Sequence, residues 1–369
     1  MASQAASTGS LSGASSGENA ATPVAAAAAS LDPVERVLLA QLHFADAAWQ
    51  EGLALVQHAS PEAQGLRLIE ARGHFGKGDR AEALRILERL LAEHPDDVLA
   101  LYYKAQFLAQ SGQPREATHV LSELIGRMPD FPGALKLLGS LVFPGPPYRE
   151  LLARLHEVLR PRTYLEIGVE HGTTLALAIH SRHAVGVDPV PRPPTRALPA
   201  GAHLFHMTSD AFFEAHSPDD VLAGERVALA FIDGMHSFEY ALRDFCNVER
   251  WCGPGSTVVM HDCLPPHSVA AARERQSHFW VGDTWKALEC LLELRPDLRI
   301  SVVPCYPSGL VVIRNLDPAS TVLPRQLDAL SERFLTLPYP YAPGAFPSHY
   351  PIVANAEPAI GLLLASLRS

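Results

Sequence analysis

Six residues of this chain recur at one fixed interval. Ala71, Gly78, Ala83, Leu87, Leu90 and Pro95 are followed 34 positions later by Ala105, Gly112, Ala117, Leu121, Leu124 and Pro129. A period of 34 residues belongs to antiparallel helix pairs, one hairpin per repeat, each stacked on the next. The residue types suit that reading. Small side chains let the two helices of a hairpin approach closely, glycine supplies the turn, and proline stops the second helix. One period earlier, Leu53, Val56 and Pro61 keep the register but the small residues are gone, so 30–63 reads as a degenerate first repeat. One period later only Gly139 persists, within a single helix expected near 132–142.

The stretch 30–142 resembles the tetratricopeptide repeats at the positions that family uses. The resemblance implies a concave groove that receives peptides or proteins, so a protein or peptide partner in the repeat groove is expected. Residues 1–29, mostly Ala, Ser, Gly and Thr, hold almost nothing large to bury and are expected to be disordered. The run Phe143-Pro-Gly-Pro-Pro-Tyr148 breaks the helical pattern and reads as an interdomain linker.

From 149 to 315 the pattern alternates. A helix at 149–160 precedes a strand Thr163–Val169, a helix from Thr173, and strands His183–Asp188 and His203–Ser209. A strand Val227–Asp233, a helix His236–Trp251, a strand Ser256–Asp262 and a helix at 284–294 follow. Strands Arg299–Tyr306 and Leu310–Asn315 close the series. Five strands alternating with helices imply parallel βαβ units, whereas the last two, three residues apart, must pair as an antiparallel hairpin. The fold class is therefore α/β, a doubly wound Rossmann-like sheet with a terminal antiparallel hairpin, preceded by the all-α repeats. That layout resembles the class I methyltransferase fold. Residues 316–369 read as a C-terminal extension wrapping the domain and ending in one short helix.

Bulk properties narrow the class of partner. The 369 residues suit two domains, and 47% apolar with 19% charged residues is a globular composition. A net charge of −10 without a basic run argues against nucleic acid. The five cysteines are odd in number and include no C-x-x-C pair, which suits reduced thiols. No basic start precedes the run Ala25–Ala29, and no apolar window reaches 18 residues. A cytoplasmic protein with no membrane partner is expected; the oligomeric state is open.

The strand Tyr164-Leu-Glu-Ile-Gly168 leads into Val169-Glu-His-Gly-Thr-Thr174. Gly168 and Gly172 would let bare backbone approach a ligand above the first strand, with Thr173 opening the next element. Glu166 would accept from an ammonium group or hold the loop. Asp188 ends the second strand 22 residues after Glu166, where an acid can bind both hydroxyls of a ribose. Such an acid serves NAD and S-adenosylmethionine alike. Glu170, between the glycines, would repel a pyrophosphate, which favours S-adenosylmethionine. Ser209 and Asp210, closing the third strand, would meet the adenine, and Asp233, closing the fourth, would lie beside the transferred methyl.

Taken together, YLEIGVEHGTT, VGVDP, FIDGMHSFEYALRD and GSTVVMHDC resemble the macrocin-O-methyltransferase-like group of class I methyltransferases. Its members often read E-I-G-x-x-x-G-x-S/T, then F-I-D-G-x-H-x-Y, then H-D. Phe238 stands where the group often has Tyr, so no role follows for that hydroxyl. The resemblance implies O-methylation of a small molecule, a glycan, or a carrier- or peptide-bound acceptor. Methyl transfer needs positioning and removal of a proton. His236 is the first candidate base and His261 the second, with Asp262 to orient a histidine or the acceptor hydroxyl. Asp233, His261 and Asp262 could alternatively hold Mg²⁺, which would lower the pKa of that hydroxyl. Trp285 and Lys286 either line the acceptor pocket or pack a helix on the sheet. Two other functions use the same residues: a repeat-based binding module with an idle methyltransferase fold, and an iron-dependent hydroxylase on this scaffold.

Overall fold

The computed structural model describes residues 31–56 and 64–368. The expected disorder of 1–29, and Pro61 of the degenerate repeat, lie outside the described residues. Two compact units divide between Phe107 and Leu108.

The first unit holds α1 (Pro33–Ala45), α2 (Trp49–Val56), α3 (Gln64–Lys77), α4 (Arg80–Glu93) and most of α5 (Val98–Gln110). The repeat signature is explained by packing. Ala71 and Ala83, where α3 and α4 face each other, are fully buried beside Leu87 and Leu90. Gly78 takes a φ of +97° in the turn, and Asp79 caps α4 by accepting from Glu82 N–H. Asp32 closes a capping box on α1 with Glu35.

The second unit opens with α6 (Pro114–Arg127) and α7 (Ala134–Val142) and continues through α8 (Tyr148–Leu159) into the sheet. The sheet then runs β1 (Thr163–Ile167), β2 (His183–Val187), β3 (Ala202–Phe205), α9 (Ser209–Ala215), α10 (Pro218–Val221), β4 (Val227–Ile232), α11 (Phe238–Trp251) and β5 (Cys252–His261). After it come α12 (Trp285–Leu294), β6 (Arg299–Val303), β7 (Leu310–Arg314), α13 (Leu327–Leu335) and α14 (Ala359–Ser366). The strand order is β3-β2-β1-β4-β5-β7-β6. The pairs from β3 through β5 are parallel, while β7 runs antiparallel to both β5 and β6. The order reverses between β1 and β4, which opens the crevice where this class of sheet takes ligands.

Alternation along the strands divides the core into two layers. Leu165 and Ile167 of β1 point into the layer covered by α11, α12 and α13. Tyr164 points into the opposite layer, covered by α8 and α14. All five residues of β1 are buried, as expected of a parallel strand covered on both faces.

Three expectations need correction. No α-helix follows the glycine loop: ten residues separate Gly172 from β2, and one 3₁₀ turn at Leu175–Leu177 suffices to bury Leu175 and Ala178. The third strand stops at Phe205, not Ser209, because Thr208 caps a helix there, its Oγ1 accepting from Ala211 N–H. The C-terminal segment carries two helices, since Leu330 and Phe334 of α13 enter the core ahead of the last one. The Phe143–Tyr148 segment is fastened to the sheet layers. Phe143 is buried in that core, and Asn355 Nδ2 donates to the carbonyls of Pro144 and Pro146.

Candidate active site

Gly168 follows β1 with a φ of +86°, in the left-handed region. A Cβ there would stand 1.9 Å from the Asp233 carbonyl oxygen, so the crossing of these two strand ends admits only glycine. Asp233 N–H donates to Ile167 O at 2.8 Å and locks the crossing. Beyond it, Asp188 anchors the loop. Its Oδ2 accepts from the N–H groups of Val169 (2.9 Å) and Glu170 (2.8 Å), and its Oδ1 from Val190 N–H (2.8 Å). Oδ1, with one bond, keeps room for a ligand hydroxyl.

Two cavities adjoin at this edge, and Gly168, Asp188 and Gly234 border both. The first, about 380 Å³, brings together Thr173, Asp233, His236, His261 and Asp262 with Glu170, Tyr148 and Trp280. The second, about 410 Å³, is a slot between Ile167, Val187, Pro189, Met235 and Tyr240, with Ser209, Asp210 and Asp244 along it. Ser209 and Asp210 thus reach the site from the first turn of a helix rather than from a strand end.

Glu166 and Gly172 line neither cavity. Glu166 alternates with Leu165 and Ile167, so it points into the layer that holds Tyr164. There it accepts from the Tyr164 hydroxyl (2.6 Å) and the Thr174 hydroxyl (2.7 Å). Burial pushes its carboxyl up to about 8, against those two hydrogen bonds. Glu166 holds the loop; it does not face the cavity. Gly172, at a φ of +64°, serves the turn and abuts Leu198. Trp285 is buried edge-on against Tyr339 and Tyr341, and Lys286 is buried beside Asp283 at 3.2 Å, so both pack their helix.

The floor of the first cavity is a charged cluster. His261 Nδ1 lies 3.2 Å from Asp233 Oδ1 and 3.2 Å from Asp262 Oδ1. His236 Nδ1 lies 2.9 Å from Asp262 Oδ2, close enough for charge attraction although its N–H axis points off the oxygen. Burial opposes protonation of His236, but Asp262 and Asp233 outweigh it and raise the ring to about 9. The same carboxylates raise His261 against its burial. Asp262 is held ionised below the usual carboxylate range, its burial overcome by the two histidines and the Ser308 hydroxyl. Geometry fixes the cluster as well. His236 and Asp262 sit at φ of +57° and +61°, and a Cβ on Gly282 would overlap His236 O. Trp280 stacks on the His236 ring at 5.7 Å, and Tyr148 lies over His261 at 4.1 Å.

Sequence reasoning missed Tyr148, Ser308 and Asp244. Ser308 sits in Pro307-Ser-Gly309, the three-residue connection of the terminal hairpin. Pairing of His261 with Leu310 carries that turn to Asp262.

Residues 165–263 match the family model of a methyltransferase domain, and residues 74–141 that of a tetratricopeptide repeat. The chain carries a methyltransferase domain. Among curated proteins none matches the chain. Of solved structures, a cofactor-bound protein from MTB aligns at 14% identity over 55% of this chain and 90% of its own, with a TM-score of 0.34. An O-methyltransferase from Bacillus cereus in complex with SAH aligns at 13% over 54% and 98%, also at 0.34. A putative O-methyltransferase from Klebsiella pneumoniae aligns at 13% over 55% and 98%, at 0.35. Likenesses this slight carry no argument about the methyltransferase domain's chemistry.

Proposed function

We propose that the methyltransferase domain uses S-adenosylmethionine to methylate an oxygen of a small molecule, a glycan, or a carrier- or peptide-bound acceptor. The observation that carries this reading is the cluster of Asp233, His236, His261 and Asp262, which shares one cavity with Gly168 and Asp188. When bound, S-adenosylmethionine supplies a methyl group already activated on a sulfonium. The chain must then orient an acceptor and take its proton. The residues present suit such a guest. Gly168 exposes backbone, Asp188 Oδ1 can accept from a ribose hydroxyl, and a zwitterionic methionine end tolerates Glu170.

His236 is the better base of the two histidines. Both line the cavity, but His236 is the more exposed, with 28% of its side chain accessible against 6% for His261. In its neutral form, which gains population as the pH rises toward about 9, its Nε2 would receive the proton of an acceptor hydroxyl, while Asp262 beside Nδ1 stabilises the imidazolium so formed. His261 orients both carboxylates.

A second reading has a specific observation behind it. One ligand atom each from Asp233, His261 and Asp262 lie within 4.8 Å of one another, a set that could hold a divalent cation. A cation there would bind the acceptor oxygen and lower its pKa. We favour the metal-free version because both carboxylates already face histidine nitrogens and Mg²⁺ prefers oxygen ligands. EDTA decides between them. Transfer that survives EDTA and falls roughly 10²–10⁴-fold in His236→Gln supports the base. Transfer lost in EDTA and restored by Mg²⁺ or Mn²⁺ supports the cation.

A further inference from the structure

Asp244 lies on α11 at the wall of the second cavity, at the end of the stretch FIDGMHSFEYALRD, where the sequence assigned it no role. It is 2% exposed, and its Oδ1 has no hydrogen-bond partner. The Ser209 side chain donates to the carboxylate, and Oδ2 presses against Gly234, where a Cβ would come within 3.2 Å. A buried carboxylate oxygen without a donor is costly, and such groups persist where a ligand completes them. Asp210, the acid expected to meet the base of the nucleoside, is differently placed. Its side chain is 44% exposed and already faces Arg243 at 3.4 Å.

The slot around Asp244 has the shape and chemistry of a seat for a flat heterocycle. Ile167, Val187, Pro189 and Met235 give it apolar walls, and Tyr240 adds an aromatic one. Only its acids and hydroxyls can select, and the buried acceptor calls for an N–H. The slot adjoins Asp188, the ribose candidate, so a nucleoside with its sugar there would extend its base toward Asp244. We propose that Asp244, rather than Asp210, reads the exocyclic amine of the cofactor's adenine through the carboxylate it holds at the wall of the slot. This rests on the cofactor reading above. Burial raises the Asp244 carboxyl to about 7, against the Ser209 hydrogen bond, in keeping with an acid that lacks a donor.

The test uses calorimetric titration of the full chain with S-adenosylhomocysteine and with S-inosylhomocysteine, which carries a carbonyl oxygen in place of the amine. The wild-type protein is expected to prefer the adenosyl compound by roughly 10–100-fold, the scale of a hydrogen bond to a charged group. Asp244→Asn, whose amide can donate to the carbonyl, is expected to bring the two affinities within a few-fold. Asp210→Asn should keep the discrimination. Equal wild-type affinities overturn the proposal, whether or not the variants fold. So does discrimination that survives in Asp244→Asn or collapses in Asp210→Asn. Failure of the wild-type protein to bind either compound removes the cofactor reading and this inference with it, whereas binding without discrimination removes the inference alone.

Discussion

Glu166 and Asp262 are both buried carboxylates at the ligand edge of one sheet, and they end in opposite states. Glu166, with two hydroxyls and the Leu175 N–H against it but no cation, is pushed up to about 8 by burial and is largely neutral at pH 7. Asp262, equally enclosed, has two histidine rings and a serine hydroxyl against it and stays ionised. Burial alone expels charge; burial beside opposite charge retains it. An acid at a strand end therefore does not declare its task. Facing the layer that holds Tyr164 it fixes a loop, and facing the histidines it can serve chemistry.

The comparison breaks most sharply at Asp262. Asp262→Asn is expected to abolish measurable methyl transfer while leaving S-adenosylhomocysteine affinity within a few-fold, since it faces the acceptor side only. It should also cost about 3–5 kcal/mol of stability, because buried His261 and half-buried His236 lose one of the two carboxylates they share. Calorimetric affinity alongside denaturant unfolding would check both. A variant with normal turnover would remove Asp262 from the mechanism.

Glu166 makes the opposite prediction. Its folded value, about 8, lies above its ordinary 4.5. Between those limits the folded state keeps a proton that the unfolded chain releases. Its contribution to stability is therefore complete below about 4.5 and lost as the pH rises toward 8, with a slope of at most about 1.4 kcal/mol per pH unit. Glu166→Gln should flatten that slope, and thermal unfolding of both proteins at pH 5, 6.5 and 8 would reveal it. Parallel pH profiles would mean that Glu166 is ionised in the fold.

A smaller effect is expected at Asp188, which anchors the loop and keeps one oxygen for a ligand. Asp188→Ala should weaken S-adenosylhomocysteine binding by about 1.5–3 kcal/mol. Unchanged affinity would leave Asp188 with the loop alone.

What the sequence disclosed follows from the same contrast. The strands, their parallel order and the terminal hairpin were legible because apolar runs and a three-residue connection leave few alternatives. Asp233, His236, His261 and Asp262 were legible as neighbours because each follows or ends a strand at the same edge. The orientation of Glu166 depends on which layer Tyr164 enters, and strand alternation does not say which face is which. Ser209 was misread as strand because the capping role of Thr208 was overlooked. Tyr148, Ser308 and Asp244 come from a helix start, a hairpin turn and a helix face, and only tertiary pairing brings them to the cavity.

Methyl transfer through the Asp262 cluster is tested most directly with labelled S-adenosylmethionine. Lysate supplemented with the cofactor would be treated with wild-type protein or with Asp262→Asn, and the products compared by mass spectrometry. A product carrying the labelled methyl on oxygen is expected with the wild-type protein and none with the variant. The same labelled product from both, or none from a wild-type protein that binds the cofactor, would contradict it.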